Sequence, residues 1–129
     1  MSQIPINPFL APVQRAAILP RGPHQNVLVV LQELCDAVAQ YPGGRLQCSK
    51  VPGFVTNLGQ EYRIVVKPTT KPFEHLLLRA HIPASGTPIM LDLYDDDLFR
   101  CDSPAVLEQQ LTSFLERDST QDVLRTLAA

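Results

Sequence analysis

His75, His81 and Asp92 are the residue types best suited to holding a zinc-like ion or moving a proton, because imidazole and carboxylate serve both as ligands and as general bases. Their spacing argues against one shared ion. Six residues of extended strand separate the two imidazoles by about 20 Å, whereas the ligands of one metal converge within a few Å of it. The run Asp95-Asp96-Asp97 offers oxygens for calcium or magnesium, or a general base, but lacks the alternating ligands and the Gly and Glu of an EF-hand loop. It reads as a solvated acidic turn. Cys35, Cys48 and Cys101 are odd in number, widely spaced and without a Cys-x-x-Cys pair, so they build neither a disulfide framework nor a four-thiolate zinc site. Each reads as a small core residue, the catalytic alternative being Cys48 or Cys101 meeting a histidine in space. The chain has no phosphate-cradling Gly-x-x-x-x-Gly-Lys, no dinucleotide fingerprint and no Gly-x-Ser-x-Gly elbow. No metal and no cofactor is expected.

The elements that must position these side chains follow from periodicity. Val27, Leu31, Leu34, Val38 and Tyr41 recur at steps of three and four, which predicts a helix over 24–41 that Pro42-Gly43-Gly44 stops. Arg45 to Val51 alternates weakly and is closed by Pro52-Gly53, an expected short edge strand. Gln60 to Lys67, Phe73 to Ile82 and Thr87 to Tyr94 each alternate, and their links are too short for crossover helices, so they form an antiparallel meander. Ser103-Pro104 is an N-cap followed by a helical proline, with Leu107, Leu111, Phe114 and Leu115 as the apolar stripe behind it. Ser119 and Asp122 stand as a capping box before a short final helix. The fold class expected is α+β, with a three- to four-stranded antiparallel meander and an N-terminal helix and two C-terminal helices packed mainly on one face. In broad arrangement alone this looks like small acidic secretion chaperones or immunity proteins of bacteria, with no motif in common.

Residues 1–23 read as a separate proline-rich arm and 24–129 as one α+β domain. Five prolines in the arm argue against one regular helix, while Ile4, Ile6, Phe9, Leu10, Val13, Ile18 and Leu19 carry enough apolar surface to pack on something. With 129 residues, 45% of them hydrophobic and 19% charged, the chain has ample material for a single core. A formal charge of −2 gives no global field for a phosphate backbone, so nucleic acid is not an expected partner. No stretch is long and apolar enough to span a bilayer, and the first residues lack a basic, apolar leader, so a cytoplasmic location is expected and no membrane partner.

Strict alternation places Tyr62, Ile64, Val66, Leu76, Leu78, Ala80, Ile82, Ile89, Leu91 and Leu93 under the helices. The reverse face then shows Arg63, Val65, Lys67, His75, Leu77, Arg79, His81, Met90, Asp92 and Tyr94, half apolar and half cationic. Arg, Tyr and Met on such a surface match the composition of protein-binding patches. The expected function is therefore a small non-catalytic module that binds a protein partner or itself, as a homodimer, through this sheet face or the arm, in a chaperone-, immunity- or adaptor-like role. One alternative is a small enzyme using His75, His81 and Asp92 or the Asp95–Asp97 run; another is a structural subunit of a larger assembly.

Overall fold

A computed structural model describes residues 7–18, 21–93 and 98–129. In chain order the elements are α1 (Leu10–Ile18), α2 (Arg21–Ala39), a 3-10 turn (Pro42–Gly44), β1 (Leu46–Thr56), β2 (Gly59–Pro68), β3 (His75–Ile82), β4 (Ile89–Asp92), β5 (Phe99–Cys101), α3 (Pro104–Glu116) and α4 (Asp118–Ala128). The strands form one antiparallel sheet in the order β1-β2-β3-β4-β5. The class is α+β, as the periodicity indicates, but the sheet has five strands rather than three or four. The fifth is Phe99–Cys101, only three residues long and too short to show an alternation, which continues the meander beside β4.

Three further elements differ from expectation for local reasons. The first strand does not stop at Pro52-Gly53 but runs on to Thr56, because β1 is an edge strand where a proline's missing N–H costs no ladder bond. A bulge between Pro52 and Val55 absorbs the irregularity. Gly59, at φ 117°, begins β2 directly after the turn, and a Cβ there would strike the Ile82 carbonyl. In the arm, Leu10–Ile18 forms a regular helix despite Pro12, which falls in its first turn where N–H groups have no intrahelical acceptor. The same reasoning lets α2 start at Arg21, ahead of Pro23, so a single helix crosses the expected 23/24 boundary.

The core lies between one face of the sheet and the three helices α2, α3 and α4. Val27, Leu31, Leu34 and Val38 from α2 and Leu107, Leu111 and Phe114 from α3 meet Ile64, Val66, Leu78, Ala80, Ile82, Ile89, Leu91 and Leu93 from the sheet. Ser103 caps α3 by accepting the Val106 N–H at 3.2 Å, with Pro104 as its first residue. The expected capping box at Ser119 and Asp122 does not form: α4 begins two residues earlier, at Asp118 with Arg117 as its N-cap, and Asp122 instead pairs with Arg125 at 2.6 Å. No described helix is long and apolar enough to cross a membrane.

Candidate functional site

The side of the sheet opposite the core is where a partner has access, and the register decides which residues reach it. Paired residues of an antiparallel ladder share a face. Val51, Arg63, Arg79 and Asp92 are successive partners across β1 to β4, and Glu61, His81, Met90 and Arg100 across β2 to β5. All eight therefore point away from the helices, as do Ser49, Val65 and Leu76 in the row beyond Arg63 and Gln47 and Lys67 at the end.

Two of the residues assigned to this face by strict alternation are on the other one. Ile64 pairs with Leu78 but its neighbour Val65 pairs with Leu76, so Leu77 is an extra residue in β3. A bulge of this kind reverses the alternation on the far side of it. Leu77 (3% exposed) and Leu78 (0%) are consequently both buried, and His75 opposes the core residue Val66. Leu76, expected inside, stands beside Val65 on the uncovered face. Arg63, Val65, Lys67, Arg79, His81, Met90 and Asp92 lie where alternation puts them. Tyr94 and Asp95–Asp97 fall outside the described residues.

The polar groups on the face are close-set rather than splayed into water. The Arg63 Nε–H donates to Glu61 Oε1 at 2.6 Å, and Glu61 is only 6% exposed. Gly53 makes this arrangement possible, since a Cβ at that position would collide with the Glu61 carboxylate. Gln60 completes the corner by donating from Nε2 to the Gly53 carbonyl at 2.8 Å. His81 is 9% exposed, and its Nδ1 and the neighbouring Arg79 Nε are buried without a hydrogen-bond partner. Arg100 pairs with Asp102 at 2.7 Å, with both side chains exposed. At the same end of the sheet the edge strand leaves Val51, Phe54 and Val55 exposed, at 42%, 74% and 77%.

The constellation of His75, His81 and Asp92 is not assembled, because His75 and His81 are on opposite faces of the sheet. Among the described residues no three His, Cys, Asp or Glu side chains are grouped to hold a metal ion. Cys35 of α2 and Cys48 of β1, which sequence spacing did not bring together, are neighbours in the fold. Their thiols hydrogen-bond to each other, which holds Cys35 below the usual thiol range and, with burial, pushes Cys48 above it. Cys101 is pushed up by burial and by Asp102 beside it. All three are free. His24 is a further polar contact without a sequence signal: its Nδ1–H donates to the Pro83 carbonyl at 3.0 Å while Nε2 accepts from the Tyr62 hydroxyl at 3.0 Å, which ties the start of α2 to the end of β3. No protein-family model, curated protein or solved structure matches the chain.

Proposed function

We propose that the protein is a non-catalytic protein-binding module that works through the uncovered face of its sheet, with a second copy of the chain as the partner its charge pattern favours. The carrying observation is the two-row arrangement on that face. Arg63, Arg79 and Asp92 follow one another in one row, and Glu61 and Arg100 occupy the ends of the next. A two-fold axis through such a face brings the arginine-bearing part of the first row in one copy to the Asp92 end of that row in the other, which is the self-complementarity that an isologous interface requires. Val65, Leu76 and Met90, each partly exposed, supply apolar contact between the charges. Arg79 Nε and His81 Nδ1 are buried and unpaired at the centre, and a docked chain offers an acceptor to the first and a polar partner to the second after small rotations of the side chains.

The arm is the second surface for which there is a specific observation. Phe9, Leu10 and Val13 at the start of α1 are 74%, 52% and 64% exposed, an apolar patch at helical spacing that no described residue covers. Light scattering on the full chain separates the two. Val65→Glu with Met90→Glu should convert an associated species to monomer with an unchanged circular-dichroism spectrum. Phe9→Glu with Val13→Glu should leave it associated. The reverse pattern assigns association to the arm and removes the sheet face from the account.

A further inference from the structure

Cys35 and Cys48 face each other across the connection from α2 to β1, and the geometry of that connection sets them abreast. Cys35 lies four residues before the end of α2 at Ala39, about 6 Å along a helix. Cys48 lies two residues into β1 from Leu46, about 7 Å along a strand. The 3-10 turn over Pro42–Gly44 reverses the chain between them, so the two positions stand at similar distances from it. Both side chains point into the gap. Cys35 is one turn from each of Leu31 and Val38, on the stripe of α2 that packs on the sheet, and is 1% exposed. Cys48 pairs with the core residue Val66 and packs against the core, but it does so on an edge strand and keeps partial access to solvent. The two thiols are already in hydrogen-bond contact. Cys101, on β5, is four strands away across the sheet, about 19 Å, and has no part in the pair.

We propose that Cys35 and Cys48 form a peroxide-responsive dithiol, which closes to an intramolecular disulfide and staples α2 to the edge of the sheet. Hydrogen peroxide is the oxidant. The Cys48 sulfur, which solvent reaches, attacks one peroxide oxygen; an S–O bond forms, the O–O bond breaks, and the departing hydroxide takes the thiol proton to become water. The Cys35 sulfur then attacks the sulfenic sulfur of Cys48; the S–S bond forms, the S–O bond breaks, and hydroxide leaves with the Cys35 proton as a second water. The two thiols lose two electrons and the peroxide gains them. Cys35 is held below the usual thiol range by the hydrogen bond from Cys48 and by the Lys50 charge. The second of these persists once Cys48 is oxidised, which suits Cys35 to the attacking role. Cys48, pushed above that range, reacts slowly with peroxide, so its sulfenic acid is consumed as it forms. Closing the bond brings the sulfurs to about 2.05 Å, and β1, paired on one side only, is the element that yields. The pair lies on the helix side of the sheet and stands independently of the face proposed for protein binding.

The test treats the reduced full-length chain with excess hydrogen peroxide, quenches it with catalase, alkylates it in denaturant and weighs the intact chain. The expected result is one alkyl group in place of three, at Cys101, with a Cys35–Cys48 peptide pair in the non-reduced digest. The urea midpoint of the oxidised chain should lie about 1 M above that of the reduced chain and return on addition of dithiothreitol. Cys35→Ser halts the sequence after its first step, so dimedone should label Cys48 in that variant and leave Cys48 of the unaltered chain unlabelled. Three alkyl groups after peroxide overturn the proposal, as does a cross-link that includes Cys101 or joins two chains, or sulfinic acid at Cys48 of the unaltered folded chain. Equal dimedone labelling of the two chains removes the attacking role of Cys35, and a midpoint that does not rise removes the staple.

Discussion

Truncating two adjacent leucines of β3 measures the bulge on which the uncovered face depends. Leu77 is 3% exposed and borders the core, whereas Leu76 stands on the uncovered face and is partly exposed. Leu77→Ala removes the transfer free energy of three buried carbons, about 2 kcal/mol, and leaves a cavity whose walls relax only in part, for about 3 kcal/mol altogether. Leu76→Ala loses a partly solvated side chain and should cost about 1 kcal/mol. The difference of about 2 kcal/mol is a large share of the roughly 5–15 kcal/mol available to a domain of this kind. Urea unfolding followed by circular dichroism reads it as a midpoint lower by about 1 M for Leu77→Ala than for Leu76→Ala, at equal slope. Strict alternation demands the opposite order. A larger loss at Leu76 would refute the register, and with it the placement of His75 and Leu77 on the helix side of the sheet.

Three further outcomes follow from named contacts. Ser103→Ala should cost about 1 kcal/mol in the same assay, because the Val106 N–H loses its acceptor at the head of α3; no change would mean that water replaces the cap. Gly53→Ala should cost about 1–2 kcal/mol through displacement of Glu61 from Arg63, and a Gly53→Ala/Glu61→Gln double variant should be less than additive if that collision is the cause. The raised pKa of buried Cys101 means that the folded state holds its proton where the unfolded chain has lost it, so stability present below the ordinary thiol value of 9.0 declines as pH rises above it. Tyr62, pushed up by burial, acts in the same direction at higher pH. Cys101→Ala should flatten the pH dependence of the urea midpoint above pH 9.0, and an unaltered slope would assign it elsewhere.

The helices and the meander were legible in the sequence because their signals are long: α2 repeats its apolar stripe from Val27 to Tyr41, and β2 alternates without a break. What was not legible is local geometry that overrides a period. Leu76-Leu77-Leu78 gives the same residue type three times in succession, so no side chain marks where the extra residue enters, and the face assignment slips by one from that point back to His75. Pro52 reads as a stop in any interior strand and is harmless on an edge, a distinction that requires knowing the strand order. β5 is shorter than one cycle of a detectable alternation. The contact of Cys35 with Cys48 and that of His24 with Tyr62 depend on tertiary placement alone, whereas the inward and outward sets from Arg79 to Asp92 followed directly from alternation.

Isotope-filtered NMR on an equimolar mixture of labelled and unlabelled chain tests the proposed association most directly. Contacts between copies should appear at the methyls of Val65, Leu76 and Met90 and vanish in the Val65→Glu/Met90→Glu chain. Intermolecular contacts confined to Phe9, Leu10 and Val13, or none at a concentration on the order of 100 µM, would contradict an interface on the uncovered face of the sheet.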